Sequence, residues 1–299
     1  MLSCEIQPVM DRSFTQILSI QGSSLEAIGS GLYLDASAID HSCSPNATRI
    51  SDGKNIIIRT IENNVKNFND LRFSYLPKLY ERTIERRIRL MKSYYFLCDC
   101  PNCQDSNSDK MKSSLKCLEC KDVENSCIPI ESGICFQCNF HIDKSKEENY
   151  KNLKKQFLNL TWKPGGDNYE NLFKEAVLIF HPYDKDFMDF LQNYYKLQRT
   201  IKNNYSKCYQ IMNLILKNYR KNLPKNHLNI GLSEMITSKY CIRLNKLDEA
   251  EIHIKNAEEI FLVTHGKGHS IITGDCQKIR EDINLIKSLG ECEEYTIEK

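Results

Sequence analysis

Cysteine spacing constrains this chain more than any other feature. Cys98, Cys100 and Cys103 form a C-x-C-x-x-C cluster. Cys117 and Cys120 form a C-x-x-C pair, followed after fourteen residues by a second pair, Cys135 and Cys138. A tetrahedral zinc takes four soft or borderline ligands. The first cluster supplies three thiolates, and the second array supplies a full set with zinc-ribbon spacing. Cys127 and His141 lie beside the ribbon and could replace a ligand, although the paired knuckles favour the four cysteines,. The chain holds 14 cysteines. Its N-terminal run MLSCEIQPVMDRSF has no basic segment leading into an apolar core, so reduced thiols used for metal are expected rather than disulfides. Cys4, Cys127, Cys208, Cys241, Cys276 and Cys292 show no pairing in the sequence.

Composition narrows the function classes. At 41% hydrophobic and 27% charged residues the chain has an ordinary globular make-up,. Its net charge of +2 argues against a broad nucleic-acid-binding face,. No apolar run reaches the length of a membrane span.

Along the chain, residues 1–103 are β-rich and irregular. Asn55 to Ile61 is a β-branched run after the turn signal Ser51-Asp52-Gly53. Leu71 to Tyr75 alternates and predicts a short strand. Ile84, Ile88, Met91 and Tyr95 recur at helical spacing over 81–96. Residues 104–116 are polar and Ser-rich and predict a linker. From about residue 144 the composition turns helical, with breaks at Trp162 to Gly166, His181-Pro182 and Leu223-Pro224. Residues 233–244 and 246–264 predict a helix–turn–helix pair, with Leu247, Ala250, Ile254, Ala257 and Phe261 on one face. Ala257 would let neighbouring helices approach closely, as in a tetratricopeptide unit. One such unit does not make an array, and a generic helical bundle fits equally.

These residues carry a family resemblance. Asp40-His41-Ser42-Cys43-Ser44-Pro45-Asn46 resembles the NHSCxPN motif of SET-domain lysine methyltransferases. Leu71-Arg72-Phe73-Ser74-Tyr75 resembles the E-L-x-x-x-Y segment that follows it. ERRIRLMKSYYFLCDCPNC (85–103) resembles the post-SET region of the SMYD family, whose members combine SET and MYND domains. Ser13-Phe14-Thr15, Gly31-Leu32-Tyr33 and VTHGKGHS (263–270) resemble further SMYD segments. The resemblance implies an α+β fold, with a β-rich partial SET domain, zinc-bound post-SET and zinc ribbon, then an all-α TPR-like domain. The implied segments are 1–97 for the C-terminal part of the SET domain and 98–104 for the post-SET cluster. The zinc-ribbon-like insertion takes 105–142 and the helical domain 143–299. The MYND finger and the Gly-rich N-terminal cofactor wall are expected to be missing from this sequence, and S-adenosylmethionine binding by the 299 residues is expected to be weak.

The resemblance also implies roles. Cys43 becomes the fourth ligand of Cys98, Cys100 and Cys103. The implied cofactors are S-adenosylmethionine and two zinc ions. Tyr75 matches the catalytic tyrosine; Asp40, His41 and Phe96 match cofactor-binding positions. The implied partner is a protein substrate with a lysine side chain, histone or non-histone, and the helical domain would take a protein partner. Location would be cytoplasmic, nuclear or both. Two departures stand out. Asp40 replaces an Asn and loses a donor. Phe68-Asn69-Asp70 replaces a Gly-Glu-Glu turn, and Phe does not readily take the positive φ that Gly allows. The rival reading is a non-catalytic, zinc-stabilised pseudo-SET scaffold that binds partners through its helices. A nucleic-acid-binding ribbon is disfavoured, because cationic and aromatic residues do not interleave there.

Overall fold

The computed structural model describes residues 17–21, 27–63, 65–122, 125–161, 168–201 and 204–297. Cys4, Ser13 to Thr15, Trp162 to Gly166 and the side chain of Cys292 lie outside what is described. The fold is mixed, with small sheets and a helical majority. Two compact units divide the chain as 1–79, 86–101 and 223–299 against 80–85 and 102–222.

In the first unit, β1 (Ile17–Gln21) and β2 (Ala27–Leu32) form one antiparallel hairpin. A second pairs β3 (Ala47–Asp52) with β4 (Asn55–Thr60). Gly53 turns this second hairpin at φ 56°, a conformation that lacks the Cβ clash only in glycine. The β-branched run thus forms the expected strand. Leu71 to Tyr75 does not form a strand. Phe73 makes a single parallel bridge to His41, and the rest of the segment is fastened by loop hydrogen bonds described below.

Helix α1 (Thr83–Tyr94) is where its period predicts, but the predicted face is inverted. Ile84, Ile88, Met91 and Tyr95 are exposed, whereas Arg86 and Leu90 are fully buried. Residues 104–116 are not a linker. Helices α2 (Pro101–Gln104) and α3 (Ser106–Met111) and strand β5 (Ser114–Lys116) fill that stretch. Asp105 starts α3 by accepting from the Asn107 and Ser108 amides, an N-cap signal hidden in a polar run.

The second unit joins the ribbon to four helices: α4 (Lys144–Leu158), α5 (Tyr169–Ile179), α6 (Lys185–Gln198) and α7 (Tyr205–Asn222). Strand β5 pairs with β6 (Cys127–Pro129). Ribbon and helices are tied together through the backbone. The His181 amide donates to the Ser114 carbonyl at 3.0 Å, and the Lys185 amide to the Lys112 carbonyl at 3.0 Å. Stacked and tilted rings of Tyr150, Phe157, Phe180, Phe187, Phe190 and Tyr194 make the core.

Helices α8 (Leu228–Arg243), α9 (Leu247–Thr264) and α10 (Gln277–Ile297) return to the first unit. Ala250, Ile254, Ala257 and Phe261 are buried as predicted. The tight approach of α8 to α9 occurs at Gly231, where a Cβ would stand 2.8 Å from the Phe261 ring. These helices lock onto the β3–β4 hairpin: Arg59 Nε donates to the Val263 carbonyl at 3.1 Å and Asn226 Nδ2 to the Ile61 carbonyl at 2.9 Å. The described elements over 144–297 are all helical, with a π-helical stretch at Ile271–Cys276. No described helix is long and apolar enough to cross a membrane.

Candidate functional site

The site is assembled by pinning two distant segments together. Asn46 does much of the fastening. Its Nδ2 donates to the Asp70 carbonyl at 2.8 Å and its Oδ1 accepts from the Arg72 amide at 2.8 Å. Its backbone adds N–H to the Arg72 carbonyl at 3.1 Å and accepts from the Ile61 amide at 2.8 Å. Parallel to this, the Ser42 amide donates to Phe73 and the Phe73 amide to Asp40. Residues 68–70 make a 3-10 turn boxed by Asn67 and Asp70. Phe68 is not among the positive-φ residues, so the turn is built without the left-handed residue that Gly would permit.

This fastening places His41 against Tyr75. The Tyr75 amide donates to His41 Nδ1 at 3.0 Å, and His41 Nε2 lies 3.2 Å from Cys43 Sγ. With Nδ1 accepting, the neutral ring carries its proton on Nε2 and donates it to the sulfur. Burial pulls the imidazole pKa down to about 4, against Cys100, which raises it, and with Arg86, which lowers it further. At neutral pH this ring is uncharged. The Tyr75 hydroxyl donates to the Ile39 carbonyl at 2.6 Å. Burial first, then nearby Asp40 and Tyr94, push its pKa up to about 12, so the hydroxyl stays protonated and serves as a donor.

An aromatic group surrounds this pair. Ring centroids lie 4.8 Å apart for Tyr75–Tyr94, 5.2 Å for His41–Tyr75, 5.9 Å for His41–Phe96 and 6.5 Å for Tyr75–Phe96. Phe96 is aimed by the residue before it. Tyr95 closes α1 at φ 60°, a left-handed conformation that costs a non-glycine residue roughly 1–2 kcal/mol. The reversal sends Phe96 toward His41. Asp40 points outward, with its side chain 78% exposed, and pairs with Arg72 at 3.7 Å. Its charge therefore has a counter-ion, which the sequence alone did not disclose.

Both cysteine arrays gather. The sulfurs of Cys43, Cys98, Cys100 and Cys103 lie within 4.8 Å of one another, and so do those of Cys117, Cys120, Cys135 and Cys138. In the ribbon the Cys117–Cys138 and Cys120–Cys135 sulfurs are 3.6 and 3.8 Å apart. Four sulfurs at about 2.3 Å from a tetrahedral zinc would be separated by nearly this distance. Asn139, at φ 56°, and the Gln137 amide, 3.4 Å from Cys135 Sγ, shape the second knuckle. Cys127 is fully buried but stands outside the four, as does His141. Cys208, Cys241 and Cys276 are buried core thiols.

Beside Tyr75 lies a cavity of about 330 Å³. Its wall includes Arg49, Phe73 and Ser74, together with His227 and Asn229 at the start of α8. Sequence reasoning assigned nothing to Arg49 or His227. Neither belongs to a motif, and the cavity exists only through tertiary packing.

No family model matches the chain. Individual relatives do. It is 24% identical over 271 residues to N-lysine methyltransferase SMYD2 of Homo sapiens, covering 87% of this chain and 57% of that protein. It is 26% identical over 266 residues to histone-lysine N-methyltransferase ASHR1 of Arabidopsis thaliana, covering 83% and 54%. It is 25% identical over 296 residues to histone-lysine N-methyltransferase SMYD3 of Mus musculus, covering 95% and 57%. The chain thus spans a little over half the length of these relatives.

Proposed function

Because this chain is a member of the SMYD family, we propose that it supplies the lysine-facing and zinc-bound part of an S-adenosylmethionine-dependent protein-lysine N-methyltransferase. In this reading residues 1–97 form the C-terminal part of the SET domain and 98–104 the post-SET cluster. Residues 105–142 are the ribbon, and 143–299 a TPR-like helical region. The Tyr75–His41–Phe96 group backed by four cysteines is the observation that carries it.

The residues present fit the cofactor's chemistry. A sulfonium favours aromatic faces over cationic neighbours, and Phe96, Tyr75 and a neutral His41 offer such faces. When bound, the cofactor supplies an electrophilic methyl group. His41 and Phe96 would hold it, and Asp40, already paired to Arg72, would accept from its ammonium. Tyr75, fixed as a donor and acceptor by its high pKa, orients a neutral lysine amine. The surrounding rings exclude water, which keeps the attacking nitrogen aligned and unsolvated. Zinc held by Cys43, Cys98, Cys100 and Cys103 is structural, because four thiolates leave no open position. It keeps Phe96 docked two residues before the cluster. The ribbon zinc staples a segment too small to have its own core. The substrate is a protein lysine.

Calorimetry with S-adenosylmethionine and a methyl-transfer assay test this reading. Expected are cofactor binding that falls in Phe96→Ala, and transfer lowered about 100-fold or more in Tyr75→Phe, the range for a positioned proton-handling group. Absence of both, with zinc retained, would leave the scaffold reading in place.

A further inference from the structure

Arg49 sits in β3 opposite Ile58, with its guanidinium carbon 6.0 Å from the Phe73 ring centroid. Its Nη1 is buried and has no hydrogen-bond partner. Arg49 forms no ion pair among the described residues. Burial lowers its pKa, and the neighbouring Tyr94 hydroxyl opposes only part of that. Buried charges in proteins are paired, because an uncompensated one forfeits solvation. Arg49 is half-buried, leaves its Nη1 without a hydrogen-bond partner, and lies on the wall of the cavity beside Tyr75.

The rest of that wall suits an anion. No Asp or Glu lines it. The 16-residue helix α8 begins there, bringing the positive end of its dipole. His227 caps the helix: its Nδ1 accepts from the Asn229 amide at 3.1 Å. Burial holds its pKa near 4, so the ring proton is on Nε2 as a donor. Thr48, Ser74 and Asn229 add polar groups. Asp40, His41 and Phe96 are not on this wall; Tyr75 is the residue shared with the aromatic group.

We propose that this cavity binds a carboxylate, the side chain of an acidic residue close to the target lysine in the protein substrate, with Arg49 as its partner. The proposal rests on the lysine-methyltransferase reading above and adds a substrate preference to it. Guanidinium and carboxylate match in geometry and form charge-assisted, often bidentate, hydrogen bonds. A carboxylate in the cavity would give Arg49 Nη1 a charged hydrogen-bond partner,. A cofactor carboxylate is the other source of the same chemistry. The geometry favours the polypeptide, because the proposed cofactor-binding side chains lie off the cavity wall.

The test uses the full chain and fluorescent peptides holding one lysine, with a single Glu walked through each flanking position. Partner peptides carry Gln or phosphoserine at the same place. At one position the Glu peptide is expected to bind at least about tenfold tighter than its Gln counterpart, the scale of one charge-assisted bond. The preference should shrink with added salt and fall within about twofold in Arg49→Gln, with Arg49→Lys between. Zinc content and melting midpoint of Arg49→Gln should match the parent. Equal binding of Glu and Gln peptides at every position would overturn the proposal. So would a preference that survives Arg49→Gln, or phosphoserine outranking Glu. Loss of S-adenosylmethionine affinity in Arg49→Gln with peptide preference intact would assign the carboxylate to the cofactor and also overturn it. An Arg49-dependent Glu preference without methyl transfer to any peptide would support the site while sinking the methyltransferase reading.

Discussion

Asp184 and Arg49, one in each compact unit, are charges drawn out of solvent to different degrees and treated in opposite ways. Asp184, in the ribbon-and-helix unit, is fully buried and accepts four hydrogen bonds. The Asp186 and Phe187 amides reach Oδ1 at 2.9 and 3.0 Å, the Tyr150 hydroxyl reaches Oδ2 at 2.6 Å and the Ser114 amide reaches it at 3.3 Å. One carboxylate thus caps α6, ties down an aromatic core residue and grips the ribbon strand. Arg49, in the other unit, leaves Nη1 unanswered next to a cavity. A charge whose every lone pair is engaged belongs to architecture. A charge left wanting beside open space belongs to recognition.

The comparison can be broken in several places. The largest effect should come from the metal that frames Asp184's unit. Stripping zinc with a strong chelator should unfold the ribbon, since structural zinc is worth on the order of 10 kcal/mol in small fingers. Hydrogen exchange across 105–142 should then lose its protection; unchanged protection would show that the fold does not depend on metal. Next, Asp184→Ala strands four donors and removes a helix cap. We expect a loss of about 3 kcal/mol or more, read by urea unfolding. A loss under about 1 kcal/mol would show that Asp184 is not an architectural charge.

The pH dependence of Asp184 is the third, smaller effect. Burial raises its carboxyl to about 6, assisted by Asp186 and opposed by Lys154 and by the Tyr150 and Phe187 hydrogen bonds. The folded pKa therefore exceeds the unfolded one, and the protonated form is the one folding favours. This contribution is complete below about pH 4 and fades as pH rises through about 6,. Asp184→Asn, which cannot titrate, should flatten the stability profile across that window. A profile that stays as steep as the parent's would assign the titration elsewhere. The smallest effect concerns backbone strain. Tyr95→Gly should gain about 0.5–1 kcal/mol in thermal unfolding, because glycine adopts the left-handed φ without the Cβ clash. The same change frees the approach of Phe96, so cofactor affinity should fall while stability rises. A fall in both would mean that the Tyr95 side chain, not its φ, matters.

What the sequence disclosed follows the same line. Zinc-ligand spacing is local and chemically narrow, so the ribbon's four cysteines were visible directly. Cys43 was visible only through the resemblance, because nothing in its neighbourhood announces a partner so far along the chain. Helix α1 had a readable period but an unreadable face. Its apolar residues Ile84, Ile88 and Met91 are exposed, and Arg86 is buried, so binary pattern was overridden by tertiary contact. Arg49 was invisible, because a missing partner is a property of three dimensions and leaves no mark on neighbouring letters. The two units were unreadable for a related reason: each is stitched from separated stretches of chain.

The span of the first cysteine cluster bears on how the chain is made. A ribosome releases residues in order, so the ribbon's ligands appear close together and can be metallated soon after Cys138 emerges. Cys43 emerges early and waits, reduced and unshared, until Cys98, Cys100 and Cys103 follow. During that wait only the hydrogen bonds made by Asn46, Ser42 and His41 hold the Tyr75 loop against the His41–Cys43 segment. The first cluster therefore cannot close before Cys103 has emerged, and any shortage of zinc or any oxidant present in that interval falls on Cys43 first.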